Sequence, residues 1–173
     1  RNDVCVVATV LSVEPDNSPE VCAMIGASAA LTISDIPFGG PTAAVNVGYV
    51  DNQIVINPTL EQREKSRLNL TVAGTLEKIT MIEAGADEIP NDIMLESIKQ
   101  VHAEIKKICN FISKIKEEIG KPKFEYKSFA VNEDVYEIIA GEFAERMKND
   151  VQTPDKPERD AKIDKLTEDV NAW

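Results

Sequence analysis

One histidine, three cysteines and 30 carboxylates are the groups in this chain that could move a proton, attack an electrophile or hold a metal. Their spacing favours none of these. His102 stands one residue off the apolar seam of a long helical pattern, and no serine or cysteine has a histidine at the spacing of a nucleophile and its base. It reads as a solvated or packing residue. Cys5, Cys22 and Cys109 lie in apolar runs, odd in number and without a CxxC pair. They read as reduced, buried thiols rather than a disulfide framework or zinc site. The pairs Asp87-Glu88, Glu117-Glu118 and Glu133-Asp134 are adjacent in sequence, as solvated charge or helix-start electrostatics would be. Asp35, just before Pro37-Phe38-Gly39-Gly40, is the carboxylate a loop could best aim at a ligand. These patterns assign no catalytic residue and no metal ligand.

The elements that would position such groups follow from composition and periodicity. At 173 residues and 43% hydrophobic content the chain can bury a core, so disorder is not expected. A net charge of −11 opposes nucleic-acid phosphate over the surface as a whole, so any RNA contact must be local or come from other parts. No apolar run reaches the ~18 residues needed to span a bilayer, and no signal-peptide pattern is present. A cytoplasmic protein without a membrane partner is expected. The chain lacks an initiating Met and passes from Arg1-Asn2-Asp3 straight into Val4–Leu11, a continuous run of the kind found in a strand buried on both faces. A start inside a central sheet suggests an excised or processed piece.

Ser18 and Pro19 open a helix through about Ile33, whose Gly26-Ala27-Ser28-Ala29-Ala30 stretch suits tight helix-on-sheet packing. A phosphate cradle would need its glycines in the loop before the helix. Alternation at Ala43, Val45, Val47 and Tyr49, an Asp51-Asn52 turn, and Ile54 and Ile56 predict a β-hairpin with one buried face. Thr59 and Gln62 fit a capping box for a short helix ending near Lys65. A second hairpin is expected from Leu68 to about Thr75 and from about Ile79 to Ala84.

From about Asn91, Met94, Ile98, Val101, Ile105, Ile108, Ile112, Ile115 and Ile119 form one apolar seam that Gly120 and Pro122 end. An adjacent sheet needs cover, so intramolecular packing is favoured over a coiled-coil dimer. After Lys123–Lys127 as a linker, Asn132 caps a helix carrying Val135, Ile138, Ile139, Phe143 and Met147; Thr153–Pro157 breaks it, and a last helix carries Ile163, Leu166 and Val170. The fold class is α+β, with a sheet and its packed helices over residues 1–120 and a small all-α segment over 121–173.

Several motifs, taken together, resemble polynucleotide phosphorylase of bacterial type. They are Asn2-Asp3-Val4 through Val10, Pro15–Glu20, Ile25–Leu31, Ser34–Phe38, Val47-Gly48-Tyr49-Val50, Ile56-Asn57-Pro58-Thr59, Val72-Ala73-Gly74-Thr75 and Glu83-Ala84-Gly85-Ala86. The match is colinear over residues 1 to about 120. Gly120–Lys123 and Asp155–Arg159 resemble the start of that family's all-helical domain. The resemblance implies the later part of the first of two RNase PH-like cores. It also implies a homotrimeric ring, RNA-binding modules elsewhere in the parent protein, an RNA-degradation complex as a partner, and an arginine-bearing RNA-gripping loop upstream. The family's reaction is 3′-to-5′ phosphorolysis of RNA to nucleoside diphosphates, reversible as polymerisation, with inorganic phosphate and magnesium.

In the family's second core the matching strand reads Asp-x-Asp-Phe-Lys-Val-Ala-Gly-Thr, with carboxylates for metal and a lysine for phosphate. Here Arg67, Asn69 and Thr71 occupy those three places. A cation and an amide do not replace two anionic ligands of a hard metal ion, and Thr71 carries no positive charge. A structural, non-catalytic core is therefore expected, without cofactor of its own and with no RNA-contacting residue identified. The alternative is a free-standing α/β interaction module that binds protein or nucleotide. Truncated sheet edges would favour an oligomer or strand-exchanged dimer.

Overall fold

The alternation over residues 43–56 folds as a hairpin in the computed structural model, which describes residues 3–173. Arg1 and Asn2, the first residues of the opening motif, lie outside the described residues. Strands β1 (Ala43–Val50) and β2 (Gln53–Ile56) are joined by Asp51 and Asn52, both at positive φ (49° and 61°). Two such residues in succession give the turn whose twist matches a two-residue hairpin. After β2, Thr59 closes the expected capping box with Gln62 and starts α2 (Leu60–Lys65). β3 (Leu68–Gly74) and β4 (Ile79–Ala86) complete an antiparallel four-stranded sheet of order β2-β1-β3-β4. β4 runs through Gly85 rather than ending before it.

Helices α1 (Pro19–Ile33) and α3 (Asn91–Ile119) pack against each other and on β1, and α3 also reaches β3. The α3 seam is intramolecular. Val101, Ile105 and Cys109 interlock with Ala43, Val45 and Val47 of β1 and Leu68, Leu70 and Val72 of β3. Full burial of a large aliphatic side chain is worth about 1.5–3 kcal/mol, so this cluster dominates the unit's stability. Ser97 is also buried on the seam and satisfies its hydroxyl by donating to the Ile93 carbonyl at 2.8 Å.

Several expectations need correction. The Val4–Leu11 run forms no strand: its residues are exposed, Leu11 at 92%, and they take no place in the sheet. β propensity supplies no ladder by itself, and none of the four strands pairs with this run. β1 is buried on both faces rather than one, since Ala44, Gly48 and Val50 are covered as well as Ala43, Val45 and Val47. In the small-residue stretch of α1 only Ser28 is buried, where its hydroxyl accepts from the Thr42 N–H at 2.9 Å. Gly26 is exposed, with nothing within 4 Å of where a Cβ would stand. Ser18 stands at the N-cap of α1 as expected, but its hydroxyl makes no capping bond and donates to Glu20 at 2.6 Å.

After α3, residues 121–124 run back along the end of α1. The Lys121 and Phe124 N–H groups donate to the carbonyls of Ile33 and Asp35, at 2.8 and 2.9 Å. The Lys123 ammonium donates to the carbonyls of Leu31, Thr32 and Ser34, at 2.8, 3.0 and 2.6 Å. A cation over the unpaired carbonyls of a helix C-terminus satisfies both hydrogen bonding and the helix dipole.

The chain divides into two compact units, with the break at Tyr126/Lys127. The second is a helical hairpin of α4 (Glu133–Val151), capped by Asn132 as expected, and α5 (Lys156–Ala172). Asp155 caps α5, and Pro157 sits in its first turn rather than in the break. The helices are joined by Phe143 edge-on to Trp173 and by the Arg146–Asp169 ion pair at 2.7 Å.

Ile105→Ala is expected to lower unfolding stability by about 2–5 kcal/mol in urea titration, whereas Ile119→Ala, at an exposed position, changes it by less than about 0.5. Lys123→Ala leaves three carbonyls without their charged donor and should cost about 1.5–3 kcal/mol in the same assay. Hydrogen bonds from Arg146 and then Lys165 hold the Asp169 carboxyl below its ordinary value. A depressed carboxylate stabilises the folded state above its unfolded pKa and loses that contribution as pH falls through the lowered value. Carboxyl-carbon NMR titration should place the Asp169 midpoint below that of a free aspartate, and Arg146→Ala should move it upward.

Candidate functional site

Because Leu68, Leu70 and Val72 face α3, the alternation of an extended strand turns Asn69 and Thr71, and Arg67 just before β3, to the opposite face of the sheet. These are the three residues singled out from sequence. Arg67 donates to the carbonyl of Asp87 at 2.8 Å and tethers the chain leaving β4. Asn69 is exposed and lies across from Gly85. Thr71 lies between Asn46 of β1 and Glu83 of β4 and donates its hydroxyl to the Asn46 side-chain oxygen at 3.0 Å.

Asn46 links this strand to a loop cluster that has a cavity beside it. Its N–H donates to the Asn57 side-chain oxygen at 3.0 Å, and the Asn57 N–H returns to the Asn46 carbonyl at 2.7 Å. Asn57 holds φ at 47°, a left-handed conformation that asparagine tolerates better than most residues. Next to this exchange lies a cavity of about 150 Å³ between the start of α1 (Asp16, Ser18, Cys22), Asn46, Asn57 and Arg63.

Most polar groups around the cavity already have partners. The Asp16 carboxylate accepts from the Leu60 N–H at 2.8 Å. Arg63 donates to the Pro58 carbonyl at 3.1 Å and to the Pro15 carbonyl. The Ser18 hydroxyl, then the N–H of Glu20 itself, hold the Glu20 carboxyl below the ordinary range, with Arg63 adding to the effect. The arrangement pins the loop before α1 to the start of α2.

A divalent cation does not fit these residues. At the three strand places stand a guanidinium bonded to backbone, a neutral amide and a hydroxyl committed to Asn46. Among the described residues no group of three or more His, Cys, Asp or Glu side chains is gathered as a metal site.

The other candidates fall elsewhere. His102 is half-buried with Nε2 3.1 Å from the Thr75 carbonyl, so it braces the turn between β3 and β4. Asp35 is exposed and acts through its backbone carbonyl, which receives the Phe124 N–H. Cys109 is buried, which pushes its thiol pKa up, and it donates to the Pro41 carbonyl at 3.5 Å. Cys5 and Cys22 are exposed, against the expectation of three buried thiols: Cys5 lies in the unpaired run and Cys22 beside the cavity at the start of α1. Sequence reasoning missed Asn46, Arg63 and Lys123 as organising residues. Only the Asn57-Pro58 turn carried a local signal of the cluster.

Residues 40–104 match the 3′ exoribonuclease family, domain 2. Over nearly its whole length the chain is similar to polyribonucleotide nucleotidyltransferases. It is 57% identical to that of Ruminiclostridium cellulolyticum over 173 residues, covering 99% of this chain and 24% of the relative. It is 56% identical to that of Caldicellulosiruptor saccharolyticus over 169 residues, covering 98% and 24%. For Clostridioides difficile the identity is 50% over 172 residues, covering 99% and 24%. The chain thus spans about a quarter of the length of these curated relatives. No helix among the described residues is long and apolar enough to cross a membrane. By its end-to-end similarity and the match over residues 40–104, the chain belongs to the polyribonucleotide nucleotidyltransferase family.

Proposed function

We propose that this chain is a structural, non-catalytic core segment of a phosphorolytic 3′-to-5′ exoribonuclease. The parent enzyme would cleave RNA from its 3′ end with inorganic phosphate as nucleophile, release nucleoside diphosphates and run in reverse as a polymerase. One observation carries the non-catalytic reading. Arg67, Asn69 and Thr71 hold the places of two carboxylates and a lysine in the catalytic strand that the family resemblance supplies. Here those residues are bonded to the sheet itself or stand without a charge partner of the right sign. Phosphoryl transfer depends on neutralising charge on the phosphate and positioning the attacking oxygen, and neither task is open to this trio.

In this reading magnesium and phosphate belong to another part of the parent enzyme, and so do the principal RNA contacts. The net charge of −11 supports placing RNA elsewhere. Self-association into the family's homotrimer and action in the cytoplasm complete the proposal.

The purified chain, with its helix and strand content checked by circular dichroism, should release no nucleoside diphosphate from poly(A) in the presence of phosphate and magnesium. Robust phosphate-dependent release would overturn the non-catalytic assignment.

A further inference from the structure

Charge is distributed unevenly along this chain. From Lys99 to Lys127 stand eight lysines and four glutamates, whereas the other residues carry 11 basic and 26 acidic groups. Five of these lysines lie on α3, and four of the five share one side of it. A helix turns about 100° per residue, which places Lys99, Ala103, Lys106, Lys107, Asn110 and Lys114 opposite Val101, Ile105 and Ile112. All four lysines are exposed. Their direction is fixed by the buried seam on the far side of the helix and not by residues at either end of the chain.

Lysines on the other long helices are partnered. Lys148, Lys156, Lys162 and Lys165 each meet a carboxylate three or four residues away, at between 2.6 and 3.1 Å. On the α3 stripe Lys107 meets Glu104 at 2.7 Å, while Lys99, Lys106 and Lys114 form no ion pair among the described residues. Lysine is also depleted from the cores of protein interfaces, so this side of α3 is poorly suited to burial against another domain.

We propose that this stripe is a track for the phosphodiester backbone of single-stranded RNA, on the side of α3 away from the sheet. Lys99 to Lys114 span about 22 Å of helix, and each ammonium is a flexible point charge suited to a mobile strand. Phe111 decides for RNA over an acidic peptide. It is 64% exposed and stands four residues after Lys107 and three before Lys114, the spacings that make neighbours on a helix surface. An aromatic ring beside cations stacks a base while the lysines hold the backbone. The stripe has this role only if the parent enzyme acts on RNA, the reading already proposed, and the contact is local on a surface that is otherwise anionic.

The test is fluorescence anisotropy of labelled oligo(A) with the full chain in phosphate-free buffer. Affinity should fall with salt, with a log–log slope of about −2 to −3 for four contacts. Lys99→Gln, Lys106→Gln, Lys107→Gln and Lys114→Gln together should weaken binding by about tenfold or more and flatten that slope. Circular dichroism should stay unchanged, because all four side chains are exposed. The same change at Lys65, Lys78, Lys148 and Lys156, exposed positions off the stripe, should leave binding within about twofold. Phe111→Ala should weaken it by about fivefold or more. Retained oligo(A) binding by the stripe variant would overturn the track while leaving the parent's action on RNA intact. Displacement of oligo(A) by polyaspartate at equal charge, with no effect of Phe111→Ala, would overturn the RNA assignment in favour of an acidic protein. Equal loss in both quadruple variants, or no binding of oligo(A) at all, would overturn it as well.

Discussion

Contact between the α3 seam and the inner face of β1 and β3 is the constraint on which the sheet unit rests. Val101, Ile105 and Cys109 are fully buried against Val45, Val47, Leu70 and Val72. Side chains alternate along a strand, so a slip of β3 by one residue against β1 would turn Thr71 into this core and Leu70 and Val72 out of it. The apolar contact thus sets the register, and the register sets which side chains meet on the other face. The Thr71 hydroxyl reaches Asn46 because the core beneath them is packed in this way and no other.

This dependence explains how a strand can keep the shape of a catalytic element while having none of its chemistry. Shape comes from Leu68, Leu70, Val72 and Gly74. At Gly74 an added Cβ would stand 2.6 Å from the Lys78 carbonyl, so the turn into β4 requires a residue without one. Chemistry would come from the alternate positions, and these are free to vary because the core does not use them. Arg67, Asn69 and Thr71 illustrate the separation: each serves the sheet or faces solvent, and the backbone needs none of them to be charged in a particular sense.

What could be read from sequence follows the range of the interaction involved. The α3 seam, both hairpins and the Thr59–Gln62 capping box are periodic or local patterns, and each appears at the expected place. Asn69 and Thr71 were singled out through the resemblance to the family's catalytic strand, and the face they share follows from the strand's alternation. Lys123 was not, because the three carbonyls it serves lie 89 to 92 residues earlier. Nor was the Asn46–Thr71 bond, which needs the pairing of β1 with β3 before it exists. The Val4–Leu11 run shows the limit of composition: its residues are those of a buried strand, but burial depends on a partner that composition does not name.

The helical hairpin makes the same point from the opposite side. α4 has no buried residue and α5 buries only Leu166, so the pair lacks the interior that holds α3 to the sheet. Its contacts are the Asp155 and Asn132 caps, the edge-on Phe143–Trp173 pair and ion pairs such as Arg146–Asp169 and Lys162–Glu158. Exposed ion pairs of this kind contribute about 0–1 kcal/mol each, and a cap typically about 1. Backbone ordering costs about 1–2 kcal/mol per residue, so caps and ion pairs alone do not offset it over two helices of 19 and 17 residues. The sheet unit owes its stability to one buried cluster, whereas the hairpin has well-made helix ends and little core between them.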